Sequence, residues 1–155
     1  MKRFIKENWK YILILVLALA IRQTKVFAIN IVDGESMMPN LRNGQIVLGS
    51  SIKNLNRGDI VVASVNKNLV VKRVIGLPGE VIEYRNETLY INGEPYEETY
   101  LNPNRNYYSK SQVWSYTVGE NQYLILGDNR DNSYDGRVYG PINSDQILEK
   151  IYIQL

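Results

Sequence analysis

The sequence predicts a mainly β domain, an antiparallel barrel or sandwich, preceded by one hydrophobic N-terminal helix. Three observations carry that expectation. Positions 11–21 hold no charge and follow directly on a basic start. Beyond position 29 the chain changes to short Val-, Ile- and Tyr-rich runs bounded by turn residues. A length of 155 residues suits one domain with a real core. The chain also contains no cysteine and no histidine. Ser-His-Asp and Cys-His catalysis, His/Cys zinc sites and disulfides are thereby excluded together. A general base has to come from Asp, Glu, Lys, Tyr or the N-terminus.

Residues 1–10 read as a basic tail, with Lys2, Arg3, Lys6 and Lys10 against Glu7. Residues 11–28 read as the hydrophobic segment, and 29–155 as the folded domain. The uncharged stretch 11–21 would span only about 17 Å as a helix, short of a hydrocarbon core of about 30 Å. On that length it matches the apolar part of a cleaved secretory signal, and Val26-Phe27-Ala28 supplies a small-residue cleavage site. The whole of 11–28 reaches about 27 Å, with Arg22 and Lys25 snorkelling at one end and Trp9 and Tyr11 at the other. That is the reading as an uncleaved anchor with a cytoplasmic N-terminus. The residues fit both, and either leaves the remainder outside the cytoplasmic membrane. From position 26 onward, 12 Lys/Arg face 15 Asp/Glu. The folded part is mildly acidic, so nucleic acid is not an expected partner.

Strands are expected over 29–32, 45–48, 59–65, 69–75, 81–84, 88–91, 112–118, 122–126 and 147–153. Arg42-Asn43-Gly44, Asn56-Arg57-Gly58, Pro78-Gly79, Asn92-Gly93 and Gly127-Asp128-Asn129 separate them. Asn92-Gly93 after Leu89-Tyr90-Ile91 is the strongest hairpin signal. The polar, Tyr- and Asn-rich stretch 94–110 reads as a surface excursion.

Four segments could carry chemistry. In Gly34-Glu35-Ser36-Met37-Met38-Pro39-Asn40-Leu41, a serine follows a glycine that permits a sharp turn, although most such serines only make the turn. In 70–80, Lys72 shares a strand face with Val70 and Val74, and Arg73 shares one with Val71 and Ile75. Alternation does not say which cation is buried. Arginine stays protonated, whereas a desolvated lysine can act as a base. The Gly-, Asn- and Asp-dense stretch 127–137 reads first as an elaborate turn braced by Asp/Arg pairs, and 56–62 as a turn entering a core strand.

Together these segments resemble the type I signal peptidases, serine endopeptidases with a Ser/Lys dyad. The motifs GESMMPNL, NRGDIVV, VVKRVIGLPGE and GDNRDNSYDGRVYGPI stand in the family's order and cover nearly the whole chain. The short chain is similar to the Gram-positive subtype. The resemblance implies a signal-peptidase-type β catalytic domain behind a retained transmembrane anchor, hence a single-pass plasma-membrane protein in contact with lipid. It implies cleavage of signal peptides from secreted preproteins, with Ser36 as nucleophile, Lys72 as general base and no cofactor or metal. Ser133 matches the hydroxyl that orients the lysine amine, and Asp135 and Arg137 match a pair that holds the neighbouring loop. Ile31, Val32, Met37, Leu41, Val70 and Val71 would line small apolar substrate pockets. The alternative is a non-catalytic relative that serves assembly of surface proteins or pili. Three positions depart from the pattern. Gly34 stands where some relatives carry an oxyanion-hole serine, and Asn40 replaces a common threonine. Gly136 replaces the usual serine between the aspartate and the arginine, and restoring that serine is expected to be near neutral.

Overall fold

The computed structural model describes residues 8–14, 16, 27–51, 54–101 and 113–154. Among them, eleven strands follow in order: β1 Phe27–Ile31, β2 Ile46–Ser50, β3 Ile60–Val65, β4 Asn68–Gly76, β5 Val81–Arg85, β6 Thr88–Ile91, β7 Glu94–Tyr96, β8 Trp114–Thr117, β9 Gln122–Leu126, β10 Ile142–Asn143 and β11 Ile147–Gln154. They form two antiparallel sheets. The larger has the order β1-β2-β11-β3-β4-β9-β10, and the smaller β7-β6-β5-β8. The mainly β expectation therefore stands.

The membrane helix does not. Among the described residues no helix is long and apolar enough to cross a membrane. This corrects the expected transmembrane helix over 11–28 and the single-pass plasma-membrane topology built on it. The described helical stretch 8–14 would span about 10 Å, a third of a hydrocarbon core of about 30 Å. The other end of the expected span is strand, because Phe27 and Ala28 pair with Ser50 and Gly49 in β2. Position 15, positions 17–26 and most of the basic tail 1–10 lie outside the described residues.

Why the larger sheet can hold a buried cation follows from its centre. Ile60 and Val62 of β3 join Val32, Met37, Leu41, Val47 and Ile151 in one apolar cluster. Val61, Ala63 and Val65 of the same strand face the opposite way and join Val74, Ile125, Ile142 and Ile147. With period-2 alternation, β3 is thus covered on both faces, and β4 lies beside it. A third cluster of Ile75, Ile82, Tyr84, Leu89, Val118, Leu124 and Leu126 joins the smaller sheet to the ends of β4 and β9.

Turn chemistry sets the hairpins. Asn92 and Gly93 both have positive φ, 52° and 85°, as a type I′ turn between β6 and β7 requires. Two further hairpins use the same conformation without a glycine: Asn66 and Lys67 at 50° and 67°, Asn86 and Glu87 at 51° and 60°. A left-handed conformation costs a non-glycine residue roughly 1–2 kcal/mol, while glycine loses about 0.4–1 kcal/mol of that advantage by loosening the unfolded chain. Lys67→Gly and Glu87→Gly should each therefore raise unfolding stability by about 0.5 kcal/mol. Urea melts of both variants check this, and a lower midpoint in either would contradict it.

Candidate active site

Strand β4 brings Lys72 and Arg73 to the centre of the larger sheet, where Lys72 lies opposite Val61 and Arg73 opposite Ile60. Alternation sends them to opposite faces, and both are buried, with 4% and 9% of their surface exposed. Lys72 Nζ donates to Ser36 Oγ at 2.7 Å and to the Val71 carbonyl at 2.9 Å. Burial pushes its amine below the ordinary value of 10.5, while the charges of Asp135 and Asp128 pull it back upward. Arg73 instead makes a two-pronged ion pair with Asp128, Nε to Oδ1 at 2.8 Å and Nη2 to Oδ2 at 2.6 Å. Its guanidinium lies over the Tyr100 ring, 4.3 Å from the centroid.

Ser36 sits in the turn between β1 and β2. Met37 and Leu41, 1% and 0% exposed, root this turn in the core together with Val32 at 3%. The Met38 amide donates to the Glu35 carbonyl and the Leu41 amide to the Met37 carbonyl, closing the turn on itself. Gly34 has φ +89°, where any other residue would be strained, and its amide donates to Asn43 Oδ1 at 2.9 Å. Of the other expected substrate contacts, Ile31 is 69% exposed and Val70 and Val71 are half-buried. Val32, Met37 and Leu41 hold the turn from behind.

The loop after β9 supplies the rest. The Asn129 amide donates to the Ser36 carbonyl at 2.9 Å, and its Nδ2 to the Glu35 carbonyl at 3.1 Å. Asn40 Nδ2 donates to Asp128 Oδ2 at 2.9 Å and to the Tyr100 carbonyl at 2.8 Å. Asp135 is fully buried and accepts from the Gly127 amide at 2.9 Å and from Arg137 Nε at 2.8 Å and Nη2 at 3.0 Å. Burial opposes its charge, but the Arg137 guanidinium outweighs that and holds the carboxyl below its usual range. Arg137 Nη2 also donates to the Ser133 carbonyl at 3.2 Å.

Ser133 is close to this cluster without a bond to the lysine. Its Oγ is buried with no aligned hydrogen-bond partner among the described residues, although it lies near enough to Asp135 to favour the carboxylate. Gly127 makes the approach possible. A Cβ there would meet Ser133 Oγ, and the Ser36 carbonyl at 2.6 Å. Sequence reasoning singled out Ser36, Lys72, Ser133, Asp135 and Arg137, but missed the ties made by Asn40, Arg73, Asp128 and Asn129. The run of Gly, Asn and Asp over 127–132 was their signal, since such side chains bond to backbone. Among the described residues no group of three or more His, Cys, Asp or Glu could hold a metal ion.

A β domain that presses a buried lysine amine on a serine hydroxyl has the parts of a serine peptidase without histidine. The sequence matches the family model described as signal peptidase, peptidase S26, over residues 5–155. It is 40% identical over 148 residues to signal peptidase I S of Bacillus subtilis (strain 168), covering 88% of this chain and 80% of the relative. It is 35% identical over 139 residues to signal peptidase IB of Staphylococcus aureus (strain N315), covering 77% of this chain and 73% of that one. The crystal structure of a signal peptidase I from Enterococcus faecalis V583 superposes with a TM-score of 0.56 at 37% identity, covering 66% of this chain and all of the other. The chain belongs to the signal peptidase family S26, and it is an enzyme of the serine-peptidase type.

The structure also revises the expectation for Gly136. A Cβ there would meet the Ile125 carbonyl and Leu124 Cδ1, each at 2.7 Å, so β9 packs directly on the glycine. Gly136→Ser, expected from the sequence to be near neutral for activity, should cost about 1–3 kcal/mol of stability, as overpacking does. Thermal unfolding of the variant decides, and a midpoint equal to that of the parent chain would show that β9 yields.

Proposed function

We propose that this chain cleaves N-terminal signal peptides from exported preproteins, with Ser36 as nucleophile and Lys72 as general base. The observation that supports this most is the 2.7 Å contact between a buried lysine amine and a serine hydroxyl in a chain with no histidine. A solvated lysine is almost wholly protonated at neutral pH. Burial favours the neutral amine, which takes the Ser36 proton as Oγ attacks the scissile carbonyl. The Ser36 backbone N–H would contribute a donor to the developing oxyanion. The leaving amine departs with a proton from the lysine, and water, deprotonated by Lys72 in turn, hydrolyses the acyl-enzyme. Strand β1 lies at the end of the larger sheet, which suits a substrate bound in extended form along it.

Incubating the protein with a labelled preprotein, beside its Ser36→Ala variant, tests the reading directly. Lys72→Arg keeps the charge but offers no lone pair, so cleavage should fall by several orders of magnitude. The Ser36→Ala, Lys72→Arg double variant should lose little more than either alone, because the two groups act as a unit. Near-parental turnover by Lys72→Arg would remove the lysine from the mechanism. The pH profile carries a sign. Activity needs the neutral amine, so it should rise with pH along an acid limb lying below the ordinary lysine value of 10.5. An acid limb at or above that value would contradict a desolvated base.

Ser133 is proposed as an aid to the base. Its buried hydroxyl lies beside Asp135, whose charge acts on Lys72. Ser133→Ala should lower kcat/KM by about 10²-fold, the cost of a misplaced general base. Full activity of that variant would separate the loop from the lysine.

A further inference from the structure

We propose that Asn40 is a positioning residue that fixes Ser36 on Lys72 by joining the nucleophile turn to Asp128 and to the backbone at Tyr100. The inference rests on the reading of Ser36 and Lys72 as the reacting pair. Asn40 lies four residues after Ser36 and is half-buried. Its Nδ2 carries two protons, and both have acceptors: Asp128 Oδ2 at 2.9 Å and the Tyr100 carbonyl at 2.8 Å.

The acceptors matter because of what they hold in turn. Asp128 is bonded through both oxygens to Arg73, the chain neighbour of Lys72. It also precedes Asn129, whose amide and side chain hold the Ser36 and Glu35 carbonyls. Two closed circuits result. One runs from Ser36 along the turn to Asn40, across to Asp128, and back through Asn129 to Ser36. The other runs from Asp128 through Arg73 and Lys72 to Ser36. Asn40 is the only tie from the far end of the turn in the first circuit among the described hydrogen bonds. Without it the turn keeps its apolar roots, Met37 and Leu41, but loses its hydrogen-bonded tie to Asp128 and the Tyr100 carbonyl, so the register of Ser36 on Lys72 is less closely fixed.

The Tyr100 carbonyl extends the tie to another part of the fold. Tyr100 and Leu101 pack against the apolar cluster of the smaller sheet. Glu98, two residues earlier, pairs with the buried Arg130 through both guanidinium nitrogens, at 2.9 and 2.5 Å. Asn40 thereby fastens the nucleophile turn to a segment that is itself anchored. A threonine hydroxyl at this position would have one proton and could serve one of these acceptors only.

The test uses the full chain and a fluorogenic peptide with alanine at the first and third positions before the scissile bond. Asn40→Ala should lower kcat about tenfold with KM within about twofold, because the side chain orients a reacting group and does not touch substrate. Asn40→Thr should fall between the parent and Asn40→Ala. Asn40→Asp keeps the size but sets a carboxylate against Asp128 and a carbonyl, so its kcat should drop below that of Asn40→Ala. Asn40→Asp also serves where the alanine variant fails to fold, and circular dichroism shows which applies. Parental kcat in Asn40→Ala or Asn40→Asp would overturn the proposal. So would a loss confined to KM, which would make Asn40 part of the substrate cleft. Parental Ser36→Ala activity, measured alongside, would instead sink the Ser/Lys reading and this inference with it.

Discussion

A lysine amine is kept out of water and still touches a serine hydroxyl, and that contact depends on much of the surrounding structure. Lys72 reaches the 4% exposure it has because β4 lies beside a strand covered on both faces. An edge strand, or a sheet wet on one side, would leave the amine solvated and charged. The Ser36 hydroxyl approaches from a separate turn, so two distant stretches of chain must meet within hydrogen-bond distance. Packing alone does not provide that precision. It comes from the loop after β9, where the Asn129 backbone amide and carboxamide hold the Ser36 and Glu35 carbonyls.

The two cations on β4 show how one sheet position can serve two purposes. Lys72 and Arg73 are adjacent, buried and on opposite faces, yet their surroundings treat them differently. A carboxylate takes two of the N–H groups of Arg73, and an aromatic ring lies against its guanidinium. Lys72 meets a hydroxyl and a carbonyl, neither of which carries a formal charge. One cation is a structural tie, and burial pushes the amine of the other below its ordinary value.

The strands were largely legible because short Val- and Ile-rich runs between turn residues report local preference. Thr88–Ile91 and Gln122–Leu126 coincide with the expected bounds. β7, Glu94–Tyr96, was read as loop because it carries a proline and a charge, and it exists only by pairing beyond the Asn92-Gly93 turn. The turns at Asn66-Lys67 and Asn86-Glu87 carry no glycine, so composition did not announce their positive φ. The choice between Lys72 and Arg73 was not legible from alternation, because both faces of β4 are apolar. Whether Met37, Leu41 and Val32 face cleft or core was not legible for the same reason, and packing buries all three in one apolar cluster. The hydrophobic start misled in another way. Its composition suits a membrane span, but length and boundary are set by where β1 begins pairing, and that is at Phe27.

Two carboxylates lie close enough to Lys72 to act on its charge, and each would hold the amine protonated if left bare. Neither is bare. Asp135 is paired with Arg137 and Asp128 with Arg73. The fold needs both acids, since Asp135 accepts the Gly127 amide and Asp128 receives Asn40. A neutral acceptor could make those bonds, but more weakly than a charged one. Pairing each acid with an arginine keeps the strong acceptor and balances its charge locally. Burial is the larger influence on the Lys72 amine, ahead of Asp135 and Asp128.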